Sequence, residues 1–407
     1  MNVLCVTPTL PVPTSGGRTR VFNLIKQLAR EHKVFVLSFI QPSEEGMVSE
    51  LTPHCERVEL IRFDGFRPMG TWQNRIRGWY RILFHRRPRY VRTFPIDRMR
   101  LPLRALLTEH DLDVALFEFL QTASLSVEVG ALPGILVEHN VESHIARQQY
   151  HEAKNPIHKA RDWLTWQKLL RYERQWVRRF PTCVAVSEAD AMRLRQMAPN
   201  TDVHVVPNGV DVQHFTPREV KRARETLLFF GTLSYGPNLD AVLWFCNQMW
   251  PRIRKARPEV KLEVVGLDPP SQVQQLENLP GVQITGFVPD IRPKLWSATA
   301  TVVPLRLGGG TRLKILEALA AGCPVVSTSV GAEGLSLVDG EHLLLANTPE
   351  AFALRVVELL ASPDLRENLV DSGRRIARRE YDWAMIARRL QSVLHRAAGM
   401  QHNGGTR

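Results

Sequence analysis

The residues best suited to chemistry lie in one stretch, Pro304–Gly322. An apolar run, Ala300–Pro304, leads into Gly308, Gly309 and Gly310. Thr311 follows as the expected N-cap of a helix. Helical spacing then sets Lys314 and Glu317 on one face, at i and i+3. A glycine loop at a helix start lets backbone N–H groups and the positive dipole end approach a phosphate. A carboxylate one or two turns in can accept hydrogen bonds from the two hydroxyls of a ribose. Arg306, Arg312, Lys314 and Arg18 are candidate cations for a diphosphate, Lys314 first because it shares the face of Glu317. The plain alternative is a glycine hinge before a core helix with a solvated Lys–Glu pair.

Two further segments carry weaker signals. Pro13–Arg18, with Gly16 and Gly17, follows a strand and opens a helix, a second place where backbone can meet a phosphate. It is neither GxGxxG nor a Walker loop, and a connecting turn explains it equally well. Val137–His144 ends a strand at about Glu138 and places His139 and Asn140 at its carboxyl edge. A histidine there can donate a hydrogen bond to a hydroxyl or phosphate near neutral pH; capping of the next helix is the other reading. A metal held by His139 and His144 is disfavoured, because i,i+5 spacing does not share a helical face.

These motifs need elements to hold them. Val3–Val6 is a short apolar run, Thr19–Arg30 has helical spacing through Val21, Phe22, Ile25 and Leu28, and His32–Phe39 is a second run. That is a βαβ unit, which implies a parallel sheet. Further strands are expected at Val114–Phe119, Gly134–Glu138, Thr182–Ser187 and Val203–Pro207, with a long helix at His158–Arg179. After a polar break at Asp211–Glu225 a second series begins. Its strands are Leu227–Gly231, Val260–Gly266, Val282–Phe287, Ala300–Pro304 and Pro324–Ser327. Its helices are Pro237–Lys255, Pro289–Ser297 and Thr311–Ala321. The expected fold is α/β: two Rossmann-like domains facing a cleft, with C-terminal helices. Residues 1–210 form the first domain and 211–380 the second; 381–407 form a helix that packs back on the first domain, and a tail. Ligands of such sheets bind at the carboxyl ends of the strands.

Composition narrows the class. The 407 residues are 44% hydrophobic and 23% charged, which excludes a disordered or collagen-like chain. Cys5, Cys55, Cys183, Cys246 and Cys323 share no CxxC spacing and read as reduced buried thiols of a cytosolic protein. The apolar start is too short for a signal peptide, and no run reaches membrane-spanning length. A net charge of +12 calls for an acidic partner. Much of it lies in residues 70–105, with ten arginines and one Asp. Arg75, Arg77, Trp79, Arg81, Arg86 and Arg87 suit an anionic membrane surface; a solvated helix face is the alternative. Nucleic acid is not expected, since no binding module accompanies the charge.

Taken in order, several motifs resemble retaining GT-B glycosyltransferases of family 4, in particular the sugar transferases associated with exopolysaccharide synthesis. They are the Gly-Gly loop, Glu138-His139-Asn140, Val186-Ser187-Glu188, Val206–Asp211, Phe230-Gly231-Thr232, Thr285–Asp290 and the glycine loop with Lys314 and Glu317. The resemblance implies a nucleotide-diphosphate sugar donor and a lipid-linked or polysaccharide acceptor at the cytoplasmic face of the cell membrane. It places Gly16 and Gly17 beside the diphosphate, counts Gly231 among the donor-binding residues, and sets His139 against the transferred sugar as the catalytic residue. It puts the Val288 backbone at the base and Glu317 on the ribose. Backbone N–H groups near Gly310, Thr311, Arg312 and Leu313 would hold the diphosphate. Two departures stand out. Gly309 replaces the first Glu of the family's Glu-x7-Glu motif, and no basic residue follows Gly231 up to Asn238. No cofactor and no metal are expected: Asp111-Leu-Asp113 precedes a strand and reads as a turn rather than a metal clamp. Other readings are a non-catalytic membrane-associated binding protein on a GT-B fold, and a nucleotide-sugar epimerase, which would need more carboxylates.

Overall fold

The computed structural model describes residues 1–14, 16–65, 85, 87–153, 155–218 and 225–402. The chain divides into two compact units, Met1–Pro207 together with the chain from Ile386, and Asn208–Met385. Asn208 falls in the second unit because the segment after it pairs there: Val210 N–H donates to Tyr381 O (2.7 Å), and Trp383 N–H donates to Val210 O (3.3 Å).

Unit 1 is built on seven strands: β1 (Asn2–Thr7), β2 (Lys33–Ile40), β3 (Arg57–Arg62), β4 (Val114–Glu118), β5 (Gly134–Glu138), β6 (Thr182–Ala185) and β7 (Asp202–Val205). They are parallel and lie in the order β3-β2-β1-β4-β5-β6-β7. β1 and β4 are buried almost throughout, as expected of central strands covered on both faces. β3 escaped the sequence reading because it is an edge strand, RVELIR, with charged ends and no fully buried residue. The helices are α1 (Gly16–Leu28), α2 (Arg100–Glu109), α3 (Glu142–Glu152), α4 (Pro156–Val177) and α5 (Glu188–Met197). Ser187 caps α5, accepting from Asp190 N–H at 3.1 Å. The start of α3 is capped from outside by the buried Glu173 of α4, which accepts from Glu142 N–H at 2.7 Å and Ser143 N–H at 3.2 Å.

Unit 2 has a six-stranded parallel sheet, β8 (Thr226–Phe230), β9 (Lys261–Val265), β10 (Val282–Gly286), β11 (Ala300–Val303), β12 (Val325–Ser327) and β13 (Leu344–Leu345). Its order is β10-β9-β8-β11-β12-β13. Helices α6 (Gly236–Trp244), α7 (Leu313–Ala320), α8 (Pro349–Ala361) and α9 (Pro363–Glu380) cover it. The helix expected at Pro237–Lys255 has a wide turn at Phe245–Met249 before it resumes at Trp250–Ala256. Pro251 lacks an N–H and cannot continue the regular ladder. The last helix, α10 (Trp383–His402), crosses from unit 2 into unit 1. There His395 meets His32 edge-on at 5.7 Å, and Gln391 donates to Glu31 at 3.2 Å. Four cysteines are buried and Cys55 is half-buried; all are free thiols.

Both sheets change winding direction at one point, between β1 and β4 in unit 1 and between β8 and β11 in unit 2. Loops leaving such adjacent carboxyl ends part to opposite sides and open a crevice.

Candidate functional site

In unit 2 the crevice is formed by the loop after β8 and the glycine loop after β11. Gly308 and Gly310 have φ of 125° and 66°, so the loop needs glycine at those positions. Arg312, not Thr311, is the N-cap of α7 (φ −93°, ψ 102°), and it makes no side-chain cap bond. Thr311 instead turns inward. Its carbonyl accepts from Asn208 Nδ2 at 3.3 Å, while its buried hydroxyl has no hydrogen-bond partner among the described residues.

Two of the expected cations are spent elsewhere. Arg306 binds Asp240 through both ends of its guanidinium, Nε to Oδ2 at 3.0 Å and Nη2 to Oδ1 at 2.5 Å. It also lies 4.8 Å from the Trp244 ring centroid. In unit 1 Arg18 is paired with Glu44. A third, Arg312, folds back onto the Gly309 carbonyl.

Lys314 remains. Its Nζ donates to Asn238 Oδ1 at 2.9 Å, and Asn238 Nδ2 donates in turn to Thr232 O at 2.9 Å. The ammonium lies 5.1 Å from the Phe229 ring centroid. A Cβ at Gly231 would be 2.9 Å from this Nζ, and Gly231 holds φ of 144°. The charge missing from the sequence after β8 therefore arrives at that position from α7, and glycine makes the room. Burial, reinforced by Arg312, lowers the Lys314 pKa to about 7; Glu317 opposes this. Burial raises Glu317 to about 7, with Lys314 opposing. The Glu317 carboxylate makes no hydrogen bond among the described residues. Leu313 opens α7 and Ile315 and Leu316 bury its inner side, leaving Lys314 and Glu317 half-buried. At the end of β10, Gly286 has φ of 71°, Phe287 is exposed, and Val288 packs partly against the core.

In unit 1 the crevice holds a buried pair that the sequence reading missed. His139, at the end of β5, is 7% exposed, and its Nε2 lies 2.6 Å from Oε2 of Glu118, the last residue of β4. With the carboxyl oxygen accepting, Nε2 is the donor of this bond. Burial lowers the His139 pKa, Glu118 opposes, and the buried Arg20 adds to the lowering. Arg20 itself donates to Val206 O at 2.8 Å and Pro207 O at 2.6 Å, fixing the segment that leaves unit 1.

Phe119 is not the end of β4, as expected, but begins a short helix at φ 66°. For a bulky residue this left-handed backbone costs on the order of 1–2 kcal/mol. The ring stacks on His139 with centroids 3.8 Å apart and planes at 14°. A Cβ at Gly17 would be 2.7 Å from Phe119 Cζ and 3.4 Å from His139 Nδ1. Gly17 is thus required by close packing at the start of α1. Gly16 is exposed there. His139 does not cap α3, whose N-cap is Val141. Of the basic segment, Arg75, Arg77, Trp79, Arg81 and Arg86 lie outside the described residues. Arg87 is described and is paired with Asp97 at 2.9 Å.

The two units match known families. Residues 14–214 match Glycosyltransferase Family 4, and residues 224–362 match Glycosyl transferases group 1. The phosphatidyl-myo-inositol mannosyltransferase of Mycobacterium tuberculosis is 30% identical over 230 residues, 53% of this chain and 60% of that protein. The chain thus aligns with less than two thirds of that relative. In three dimensions it is similar to a sucrose-phosphate synthase from Thermosynechococcus elongatus, with TM-score 0.74, 16% identity and coverage of 98% and 100%. It also resembles Anabaena HepE, solved with UDP and glucose, with TM-score 0.69, 14% identity and coverage of 97% and 100%. Fold and family agree on the GT-B class. This chain is a member of glycosyltransferase family 4.

Proposed function

We propose that this protein transfers a sugar from a nucleotide-diphosphate sugar to a lipid-linked or polysaccharide acceptor. One observation carries the reading. At the switch point of unit 2, the glycine loop and α7 present a carboxylate that makes no hydrogen bond (Glu317), a buried hydroxyl with no hydrogen-bond partner (Thr311), both among the described residues, and a cation beside Gly231 (Lys314). That set suits a ribose diol and a diphosphate held side by side. The relatives point the same way: mannosyltransferases by sequence, and a fold seen with UDP and glucose.

In the reaction the sugar C1–O bond to the diphosphate breaks, and the acceptor oxygen bonds to C1. The family resemblance supports attack from the leaving-group side, with retention and no protein nucleophile. The acceptor proton then passes to the departing diphosphate. Charge growing on that diphosphate is met by α7 N–H groups, the helix dipole and Lys314. We take the reaction to be metal-independent, because these groups supply the charge a metal would.

The acceptor side is expected at an anionic membrane surface on the inner face of the cell membrane. The basic segment supports this, as do the exposed Leu101, Ile157 and Trp163 of unit 1. No described helix is long and apolar enough to cross a membrane. The test is a panel of UDP-, GDP- and ADP-sugars with crude membrane lipid and EDTA. Release of one nucleoside diphosphate is expected. Silence with every donor, also after adding magnesium or manganese, together with no nucleotide binding by calorimetry, refutes the reading.

A further inference from the structure

His139, which the sequence reading places against the transferred sugar, is largely enclosed by its neighbours. His139 is 7% exposed, its Nε2 is engaged by Glu118, and one face of its ring is covered by Phe119. A ligand arriving at the carboxyl edge of β4 and β5 meets Phe119 first, since Phe119 is only half-buried. Several groups hold that ring in place. His139 stacks beneath it, Gly17 leaves room at its edge, and Thr122 Oγ1 lies 3.0 Å from Phe119 O and 2.9 Å from Glu118 O. The backbone pays with a left-handed φ of 66°. Packing alone does not call for this conformation, because an apolar side chain on an ordinary turn could cover His139. Strained residues of this kind collect where a side chain must be aimed at a ligand, and this one lies at the switch point of its sheet.

We infer that Phe119 is a stacking platform for a pyranose ring, and that Glu118 and His139 are positioning residues that act through it. This rests on the glycosyltransferase reading. One face of a pyranose is a patch of C–H groups, and the face of an aromatic ring carries the negative end of its quadrupole. The two stack with little demand on hydroxyl configuration, so Phe119 would place the ring and leave the choice of sugar to other groups. His139 fixes the tilt of the phenyl ring, and Glu118 fixes His139 through the Nε2 hydrogen bond.

The experiment compares wild type with Phe119→Leu and Phe119→Tyr, using the nucleotide sugar that the donor panel selects. Three quantities are read: affinity for the bare nucleoside diphosphate, KM for donor and for acceptor, and saturation transfer from protein to sugar C–H protons. Phe119→Leu is expected to leave nucleoside diphosphate affinity within twofold, raise one KM by roughly tenfold, on the order of 1.4 kcal/mol, and lose the saturation transfer. Phe119→Tyr is expected to keep all three. A rise confined to the donor KM assigns the platform to the transferred sugar, and one confined to the acceptor KM to the acceptor's terminal sugar. Unchanged KM in Phe119→Leu, or an equal loss in both variants with lowered Tm, overturns the inference while leaving the transferase reading intact. No nucleoside diphosphate binding by wild type would overturn both.

Discussion

Lys314 offers a test of the donor crevice that does not need the acceptor. Its ammonium has an amide oxygen and two aromatic rings for company, and it takes part in no ion pair among the described residues. Burial lowers its pKa to about 7. At pH 8 such an amine is only about 10% charged. A diphosphate placed beside it restores the charged form, so binding must draw a proton from the buffer. Glu317, raised to about 7, is already about 90% ionised at pH 8 and gives back only about 0.1 proton. The net uptake expected at pH 8 is therefore ~0.8 proton per nucleotide bound. The sign fixes the pH dependence as well. The charged amine and the ionised carboxylate are the binding forms, so affinity is greatest near pH 7, falling above it as Lys314 loses its proton and below it as Glu317 gains one. Titration calorimetry in two buffers of different ionisation enthalpy reads the proton count directly as the slope of the observed heat. Lys314→Met should remove the slope and weaken nucleoside diphosphate binding by about 1.5–3 kcal/mol, the worth of a hydrogen bond to a charged group. Zero slope in wild type, together with unchanged affinity in Lys314→Met, would refute the reasoning.

Other outcomes follow from named contacts. Arg306→Ala should leave donor affinity unchanged in the same calorimetry, because Arg306 is already bound to Asp240 on an exposed surface. Gly17→Ala sets a methyl 2.7 Å from Phe119 Cζ; a loss of about 1–3 kcal/mol in denaturant unfolding is expected, with transfer lost as well. Glu142 and Glu173 are both raised to about 7, chiefly by burial. Their folded forms hold protons more tightly than the unfolded chain, so unit 1 should lose stability as pH rises from about 4.5 to about 7. A single group so shifted is worth on the order of 3 kcal/mol, and two neighbours together less than twice that. Tm measured across that range should fall in wild type and fall less in Glu173→Gln.

Much of the scaffold could be read from the sequence for a physical reason. Central strands of a parallel sheet are buried on both faces and appear as unbroken apolar runs, as in Leu4–Val6 or Val302–Val303. Arg57–Arg62, an edge strand with charged ends, and the two-residue Leu344–Leu345 hold no such run and were missed. Lys314 and Glu317 were legible because helical spacing alone puts them on one face. The Glu118–His139 pair was not, because its members lie 21 residues apart and meet only through the register of β4 against β5. One signal was available: a carboxylate closing an otherwise apolar strand, Val114–Glu118, must find a partner. The fate of the arginines was invisible for the same reason. Asp240 lies 66 residues from Arg306, and only the packing of α6 beside the β11 loop brings the two together. The left-handed Phe119 had no local cue, since phenylalanine is among the residues least suited to that backbone.

The most direct test of the donor crevice is the activity of Glu317→Ala. With the nucleotide sugar selected by the panel and membrane lipid as acceptor, wild type should release nucleoside diphosphate and glycosylate the lipid. The variant should keep its Tm within a few degrees and lose both signals by at least about a hundredfold, the effect of removing a charged, bidentate contact to the ribose. Transfer at the wild-type rate by a folded Glu317→Ala protein would contradict the assignment of α7 as the nucleotide-binding element.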